Sequence, residues 1–159
     1  MRVEMSVLGI DGVLKTLQSL PKEVVSKRGG PVKLALAKGA RLIRDEAKKN
    51  LRAQMAGGDE ATGLLEKNIR ATRGKALNVG KGERYLVRVI RKAYPRQGGE
   101  AVTARKTAMW KEYGTADQPA TPWLRPAVHQ KGAEAILVIT QDLNRRLDRE
   151  IKKLAQRNK

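Results

Sequence analysis

Residues 136–154, with the sequence ILVITQDLNRRLDREIKKL, show the clearest periodicity in the chain. Their apolar side chains recur at steps of three or four residues, at Ile136, Ile139, Leu143, Leu147, Ile151 and Leu154. This spacing puts one apolar stripe along a helix. We therefore predict a long amphipathic C-terminal helix that packs through its stripe, with residues 155–159 as a frayed tail.

A second long helix is predicted upstream. Gly29-Gly30-Pro31 breaks the chain, and proline suits the first turn of a helix. Apolar side chains then recur at steps of three or four residues, at Leu36, Ala40, Ile43, Ala47 and Leu51. Gly57-Gly58 ends the pattern, so we expect a helix of roughly 24 residues, or ~36 Å.

Short strands are predicted on either side of this helix. Residues 2–8 alternate in polarity and predict a strand, and a short leucine-spaced helix follows at 14–20. Residues 85–90 are rich in β-formers, and Gly80-Lys81-Gly82 predicts a hairpin loop that joins them to a strand at 77–79. We expect these strands to belong to one antiparallel sheet.

Three further segments are less regular. Residues 64–69 fit either a short helix or an extended segment. Residues 102–113 alternate in part and predict another strand that ends at Gly114. Residues 116–126 hold three prolines, which excludes a regular helix there.

These elements predict the α+β class: a small antiparallel sheet of three to four strands packed by two long amphipathic helices. The chain has 159 residues and a mass of 17.6 kDa, so residues 1–159 fit a single domain. A sheet this small has free edges, where another copy could dock.

Composition excludes several classes of protein. The chain has no cysteine and one histidine, which excludes disulfides and zinc sites built from Cys and His. No apolar run approaches the ~20 residues of a membrane span. Residues 1–10 carry Arg2 and Glu4 and lack an apolar core, so they do not resemble a signal peptide. We expect synthesis in the cytoplasm, no membrane partner and no cofactor.

The net charge of +18, from 34 basic and 16 acidic residues, predicts an anionic partner. Residues 67–111 hold most of the excess, with 13 basic residues against two acidic ones. The candidate contact residues for DNA or an acidic protein are Arg84, Arg88, Arg91, Lys92, Arg96, Arg105 and Lys106. Tyr85 and Tyr94 lie among them, and aromatic rings beside cations can stack on bases. No pattern for sequence-specific recognition is present, so any nucleic-acid contact would be non-specific.

Catalytic patterns are weak. Asp45-Glu46 and Asp59-Glu60 are adjacent carboxylates, and neighbours on a helix point about 100° apart. His129 has no partner at a spacing typical of acid–base catalysis. Gly80-Lys81-Gly82 lacks the spacing of a phosphate-binding loop. We therefore predict that the protein is not an enzyme.

The most distinctive segment combines residues 109–115, MWKEYGT, with residues 119–127, PATPWLRPA, and it contains both tryptophans. Its two short motifs are Glu112-Tyr113-Gly114-Thr115 and Pro122-Trp123-Leu124-Arg125-Pro126-Ala127, and a third motif, Thr62-Gly63-Leu64-Leu65, precedes them. From the residues alone, the segment predicts a strand, a glycine turn and a proline-rich crossover into a helix, with Trp123 as a core anchor.

In this order, the motifs resemble the small tail-component family of lambdoid tailed phages, the tail-completion or neck proteins. That family shows an aromatic-rich strand ending in Glu-(Phe/Tyr)-Gly-Thr, then Pro-(Phe/Trp)-Leu-Arg-Pro-Ala and a long C-terminal helix. This chain departs from it in Trp123, where Phe is common, in a longer loop before Thr62 and in a longer basic segment before Trp110.

The resemblance implies a structural virion protein. It implies a ring, typically of six copies, at the head–tail joint or the tail end, with neighbouring neck or tail proteins as partners and DNA passing through the lumen. The alternative that the residues leave open is a monomeric basic domain that binds nucleic acid.

Overall fold

A computed structural model of the chain describes residues 30–55, 63–75, 83–95 and 102–157. The predicted elements at 2–8, 14–20 and 77–79, and the candidate residues Thr62 and Arg96, lie outside these ranges.

The described elements confirm the α+β class. In chain order they are helix α1 (Gly30–Met55), helix α2 (Leu64–Asn68), strand β1 (Ile69–Arg73), strand β2 (Tyr85–Val89), helix α3 (Ala104–Tyr113) and helix α4 (Leu124–Arg157). The two long helices are those that the apolar periodicity predicts. In the segment at 64–69, which fitted either structure, residues 64–68 form a short helix and Ile69 begins β1.

Helices α1 and α4 form the most extensive contact between two elements. Leu143 and Leu147 of α4 are buried against Ala35 of α1, which confirms the centre of the predicted stripe. A close approach is possible because residue 39 is glycine: a Cβ there would lie 2.5 Å from the Ile139 side chain. Further along α4 the stripe leaves this core.

Two parts of the predicted stripes differ in burial. Ile151 is 46% exposed, so the α4 stripe is not covered along its whole length by described residues. On α1, the fully buried positions include Ala35, Ala47 and Leu51, whereas Leu36 is only half-buried. The reason is that α1 packs against α4 as well as against both strands, which spreads burial over more than one side of the helix.

The two strands pair in antiparallel register, from Ile69 opposite Val89 to Arg73 opposite Tyr85. The strand that pairs with β2 is therefore β1, and the predicted strand at 77–79 lies outside the described residues. Within the described residues the sheet has two strands, with an isolated bridge between Ala93 and Thr103 beyond its end.

The prediction of a strand over residues 102–113 is wrong, because residues 104–113 are helix α3. Thr103 caps this helix, and its hydroxyl accepts a hydrogen bond from the backbone N–H of Lys106. Ala104, Ala108 and Glu112 are all buried, and their spacing of four residues is that of one helix face. The partial alternation of apolar residues in this segment concealed that spacing.

The limits of α4 also differ from the predicted ones. The helix begins at Leu124 and includes Pro126, although residues 116–126 were expected to be non-helical. Proline is tolerated there because the first N–H groups of a helix have no intrahelical partner. At its other end, α4 continues to Arg157, into the segment predicted as a frayed tail.

Candidate functional site

The two motifs around residues 112–115 and 122–127 meet in space. Gly114 ends α3 with φ of 79°, and its N–H donates to the Trp110 carbonyl at 2.7 Å. A Cβ at this position would lie 2.9 Å from the backbone nitrogen of Ala120, so the turn requires glycine. The turn brings the loop back, and the Thr121 N–H donates to the Lys111 carbonyl at 2.7 Å. As a result, the start of α4 lies beside the end of α3.

Glu112 is the centre of this junction. Its side chain is 6% exposed, and its carboxylate accepts hydrogen bonds from the backbone N–H groups of Trp123, Leu124 and Arg125 at 2.9–3.1 Å. The first turn of α4 contains no acidic residue of its own. Glu112 therefore caps α4 from another helix, where a negative charge is also favoured by the helix dipole.

Arg125 completes the junction from the α4 side. Its Nε donates to the Glu112 carboxylate at 2.9 Å, and its Nη2 donates to the Glu112 carbonyl at 2.7 Å. The guanidinium also lies 5.1 Å from the centre of the Tyr113 ring, within cation–π range. The Arg125 side chain thus contacts both Glu112 and Tyr113, which joins three motif residues.

The pKa of Glu112 is lowered from its ordinary value of 4.5. Burial alone would raise this pKa, but the hydrogen bonds from Leu124, Trp123 and Arg125 outweigh the burial because they stabilise the charged form. A carboxylate with this many donors holds its charge and has little capacity left to accept a proton. It acts as a structural anion.

Trp123 is a core anchor, as predicted, and is 2% exposed. It packs in a cluster that includes Leu51, Ile69 and Ala108, and its indole N–H donates to the Ala108 carbonyl at 3.4 Å. The backbone before α4 is held from α1 as well. Asn50 donates to the Trp123 carbonyl at 3.3 Å and Gln54 donates to the Pro122 carbonyl at 2.6 Å.

An open groove of about 600 Å³ lies between β2, α3 and the start of α4. Its lining consists of Arg88, Val89, Ile90, Arg91, Arg105, Ala108, Met109, Glu112, Tyr113, Trp123 and Leu124. Most of these side chains are apolar, and the charged ones other than Glu112 are basic. We call this region the basic groove. Predicted contact residues and motif residues together line this cavity.

Only some of the predicted contact residues line the basic groove. Arg88, Arg91 and Arg105 line the basic groove, and all three are exposed. Arg84 and Lys92 are exposed but do not line it, and the Lys106 amine lies 5.3 Å from the centre of the Trp110 ring. None of the six forms an ion pair with any residue in the described ranges.

The third motif does not line the basic groove, although its Leu65 is buried in the same cluster as Trp123 and Ala108. Gly63 has φ of 63° immediately before α2, and its carbonyl accepts a hydrogen bond from the Lys67 N–H at 3.0 Å. It shapes the start of α2 and does not line the basic groove.

Sequence reasoning missed several residues of the site. Ala108 and Met109 were assigned to a strand, although the spacing of Ala104, Ala108 and Glu112 was a signal for the helix that presents them. Asn50 and Gln54 had no signal in the sequence, because their role depends on where the loop before α4 passes.

Within residues 30–55, 63–75, 83–95 and 102–157, no three His, Cys, Asp or Glu side chains form a group that could hold a metal ion. No helix in the same ranges is long and apolar enough to cross a membrane. Comparisons with protein-family models, curated proteins and solved structures found no match to this chain.

Proposed function

We propose that the chain is a structural virion protein of a tailed bacteriophage. Copies assemble into a ring, of six subunits as the resemblance implies, at the head–tail joint or the tail end. Neighbouring neck or tail proteins dock on the ring, and DNA passes through it. The protein is made in the host cytoplasm and resides in the virion, and it has neither a catalytic site nor a cofactor.

The observation that carries the proposal is the use of the motif residues at the junction of α3 and α4. The Glu112 carboxylate is fully engaged by backbone N–H groups and by Arg125. A general acid or base needs a proton that can be transferred at working pH, and the lowered pKa of Glu112 works against that use. These contacts favour a role in holding a scaffold.

The sheet provides a second support. The Gly74 N–H donates to the Arg84 carbonyl, and the Ile90 N–H donates to the Asn68 carbonyl. These hydrogen bonds show that the backbone N–H and C=O groups of the even-numbered residues of β2 point towards β1. The backbone groups of the odd-numbered residues therefore point to the outer edge, where no described residue pairs with them. Free strand edges are natural sites for subunit pairing. The expectation of further strands now rests on residues 2–8 and 77–79, which lie outside the described residues, since residues 104–113 are helical.

Electron microscopy of the purified full-length chain, alone and mixed with the neck and tail proteins of the same phage, tests the proposal. We expect closed rings in at least one of these mixtures. A chain that remains monomeric in all of them, and that is absent from purified virions by mass spectrometry, would contradict it.

The unpaired cations favour one other function, that of a monomeric nucleic-acid-binding domain. Reversing Arg88, Arg91 and Lys92 to Glu separates the two functions. We expect impaired joining of the ring to its partner in co-sedimentation, and a smaller change in DNA affinity titrated at two salt concentrations. Reversing Arg145, Arg149 and Lys152 of α4, all exposed, is the matched control.

If the triple variant instead joined its partner normally and lost DNA binding, with a shallower dependence on salt, the basic surface would be a DNA-contacting surface. Loss of phosphate contacts lowers the salt dependence because fewer counterions are released on binding.

A further inference from the structure

We propose that the basic groove binds an acidic segment of a different protein, one in which a large apolar side chain is flanked by carboxylates. This inference rests on the proposed function only in taking that protein to be a neighbour in the assembly.

The apolar part of the groove favours a partner that inserts a large apolar side chain. Trp123, Ala108 and Val89 belong to or pack on the main core, so this part of the lining is held firmly. Met109 is 54% exposed and Tyr113 is 67% exposed at the same groove. Methionine adapts to apolar partners, and tyrosine is enriched where proteins bind one another. A volume of about 600 Å³ can hold a large side chain with its flanking backbone.

The charges of the groove support an acidic partner. Arg88, Arg91 and Arg105 have no acidic partner among the described residues. The acid in the lining, Glu112, is paired with Arg125 and capped by N–H groups, so it does not neutralise them. Arginine binds carboxylates through two parallel hydrogen bonds, which gives direction as well as attraction.

Nucleic acid fits this lining less well than protein. Sites for single strands combine cations with free aromatic faces. Here Trp123 is buried, and the Tyr113 ring already carries the Arg125 guanidinium on one face. The apolar lining would have no counterpart on a phosphate backbone. A second copy of this chain is a poorer occupant, because most acidic side chains of the described residues are already paired with cations of their own chain.

The test uses the full-length chain and a short fluorescein-labelled peptide, in which glutamates flank a central tryptophan. Two matched peptides replace either the glutamates by glutamine or the tryptophan by alanine. A single-stranded oligonucleotide is titrated in parallel. Fluorescence anisotropy gives each affinity.

Two variants alter the groove and two are controls. Arg88→Glu with Arg105→Glu reverses groove charge, and Met109→Gln removes an apolar contact. Arg145→Glu with Arg149→Glu, and Leu137→Gln at a position that is 61% exposed, make the same changes on α4. Circular dichroism verifies that each variant is folded.

We expect the groove charge reversal to weaken binding of the acidic peptide about tenfold or more. Met109→Gln should weaken it about threefold. Both matched peptides should bind wild type less tightly, and the α4 controls should bind like wild type. Equal effects of groove and control variants, or equal binding of all three peptides, would overturn the inference. So would loss of oligonucleotide binding in the groove variant with peptide binding unchanged.

The inference and the proposed function fail separately. Rings that form and join their neighbours without any peptide binding in the groove would overturn the inference and leave the proposed function intact. Peptide binding through the groove by a chain that never forms rings would support the inference while contradicting the proposed function.

Discussion

The α1–α4 helix pair and the basic groove differ in how their charged side chains are paired. On the helix pair, Asp142 is 7% exposed and is paired with Arg146 at 2.5 Å and with Lys38 at 3.2 Å. These hydrogen bonds lower its pKa from the ordinary 3.8, with Arg146 as the larger cause. At the groove, Arg88, Arg91 and Arg105 are exposed and form no ion pair with a described acid, since Glu112 in the same lining is paired with Arg125.

This difference indicates that the paired charges of the helix pair serve stability, whereas the unpaired charges of the groove are available for binding. A nearly buried carboxylate such as Asp142 needs its cations, because an unpaired buried charge is strongly destabilising. Exposed cations remain solvated and contribute little to stability whether or not they are paired. The groove can therefore carry unpaired charge for a partner at little cost to the fold. Substitutions in the two regions should have different consequences.

The largest effect is expected from Leu147→Asp in the helix pair. Leu147 is 2% exposed, so the variant would bury an unpaired carboxylate against Ala35 and Leu143. We expect destabilisation by about 5 kcal/mol or more, enough to prevent folding. Circular dichroism and chemical denaturation measure it. Arg145→Asp, at an exposed position of α4, should stay within about 0.5 kcal/mol of wild type. Similar behaviour of the two variants would show that α4 does not pack along this stripe.

The next largest loss of stability is expected from Trp123→Ala, because Trp123 is buried in the core and also lines the basic groove. Truncation of a large buried aromatic side chain costs about 3–5 kcal/mol. We expect this loss in the free energy of unfolding from urea denaturation. Trp110→Ala is the control, because Trp110 is only half-buried, and should cost about 1 kcal/mol. An unchanged melting temperature for Trp123→Ala would assign Trp123 to an interface instead of the core.

Glu112→Gln tests the junction and its dependence on pH. At pH 7 the loss of charged hydrogen bonds should cost about 2 kcal/mol. Since the pKa of Glu112 is lower in the folded state than 4.5, its stabilising effect is complete above that pH and is lost as pH falls through the folded pKa. The melting temperature of the wild type should therefore decrease as the pH drops below about 4.5.

The variant should lose part of this acid dependence. It should keep another part, because the lowered pKa of Asp142 acts in the same direction. Glu134→Gln, at an exposed pair with Lys131, serves as the control and should follow the wild-type profile. Parallel pH profiles for wild type and Glu112→Gln would refute the capping role of this carboxylate.

The smallest effect on stability is expected from reversing Arg88, Arg91 and Lys92 to Glu. All three are exposed and form no ion pair with described residues, so the free energy of unfolding should change by no more than about 0.5 kcal/mol. Chemical denaturation measures this, alongside the joining assay described above. A large loss of stability would mean that these cations support the fold, and the contrast between the two regions would disappear.

Some elements were predictable because their signal is local. The α1 and α4 helices follow from apolar residues at steps of three and four, and Leu143 and Leu147 are buried where that spacing puts them. Residues 104–113 were mistaken for a strand because few of their side chains are large and apolar. Two alanines and a glutamate form the buried face of α3, and an acidic residue is not an expected core position.

The sequence by itself determined the two long helices, the α+β class, the burial of Trp123 and the excess of positive charge. Each depends on residue type and spacing along the chain. Tertiary structure alone decided that Glu112 caps α4 and that Arg88, Arg91 and Arg105 share a groove with Met109 and Tyr113. These arrangements join residues from separate elements, and their distances depend on how the chain packs back on itself. Periodicity in one segment carries no information about that packing.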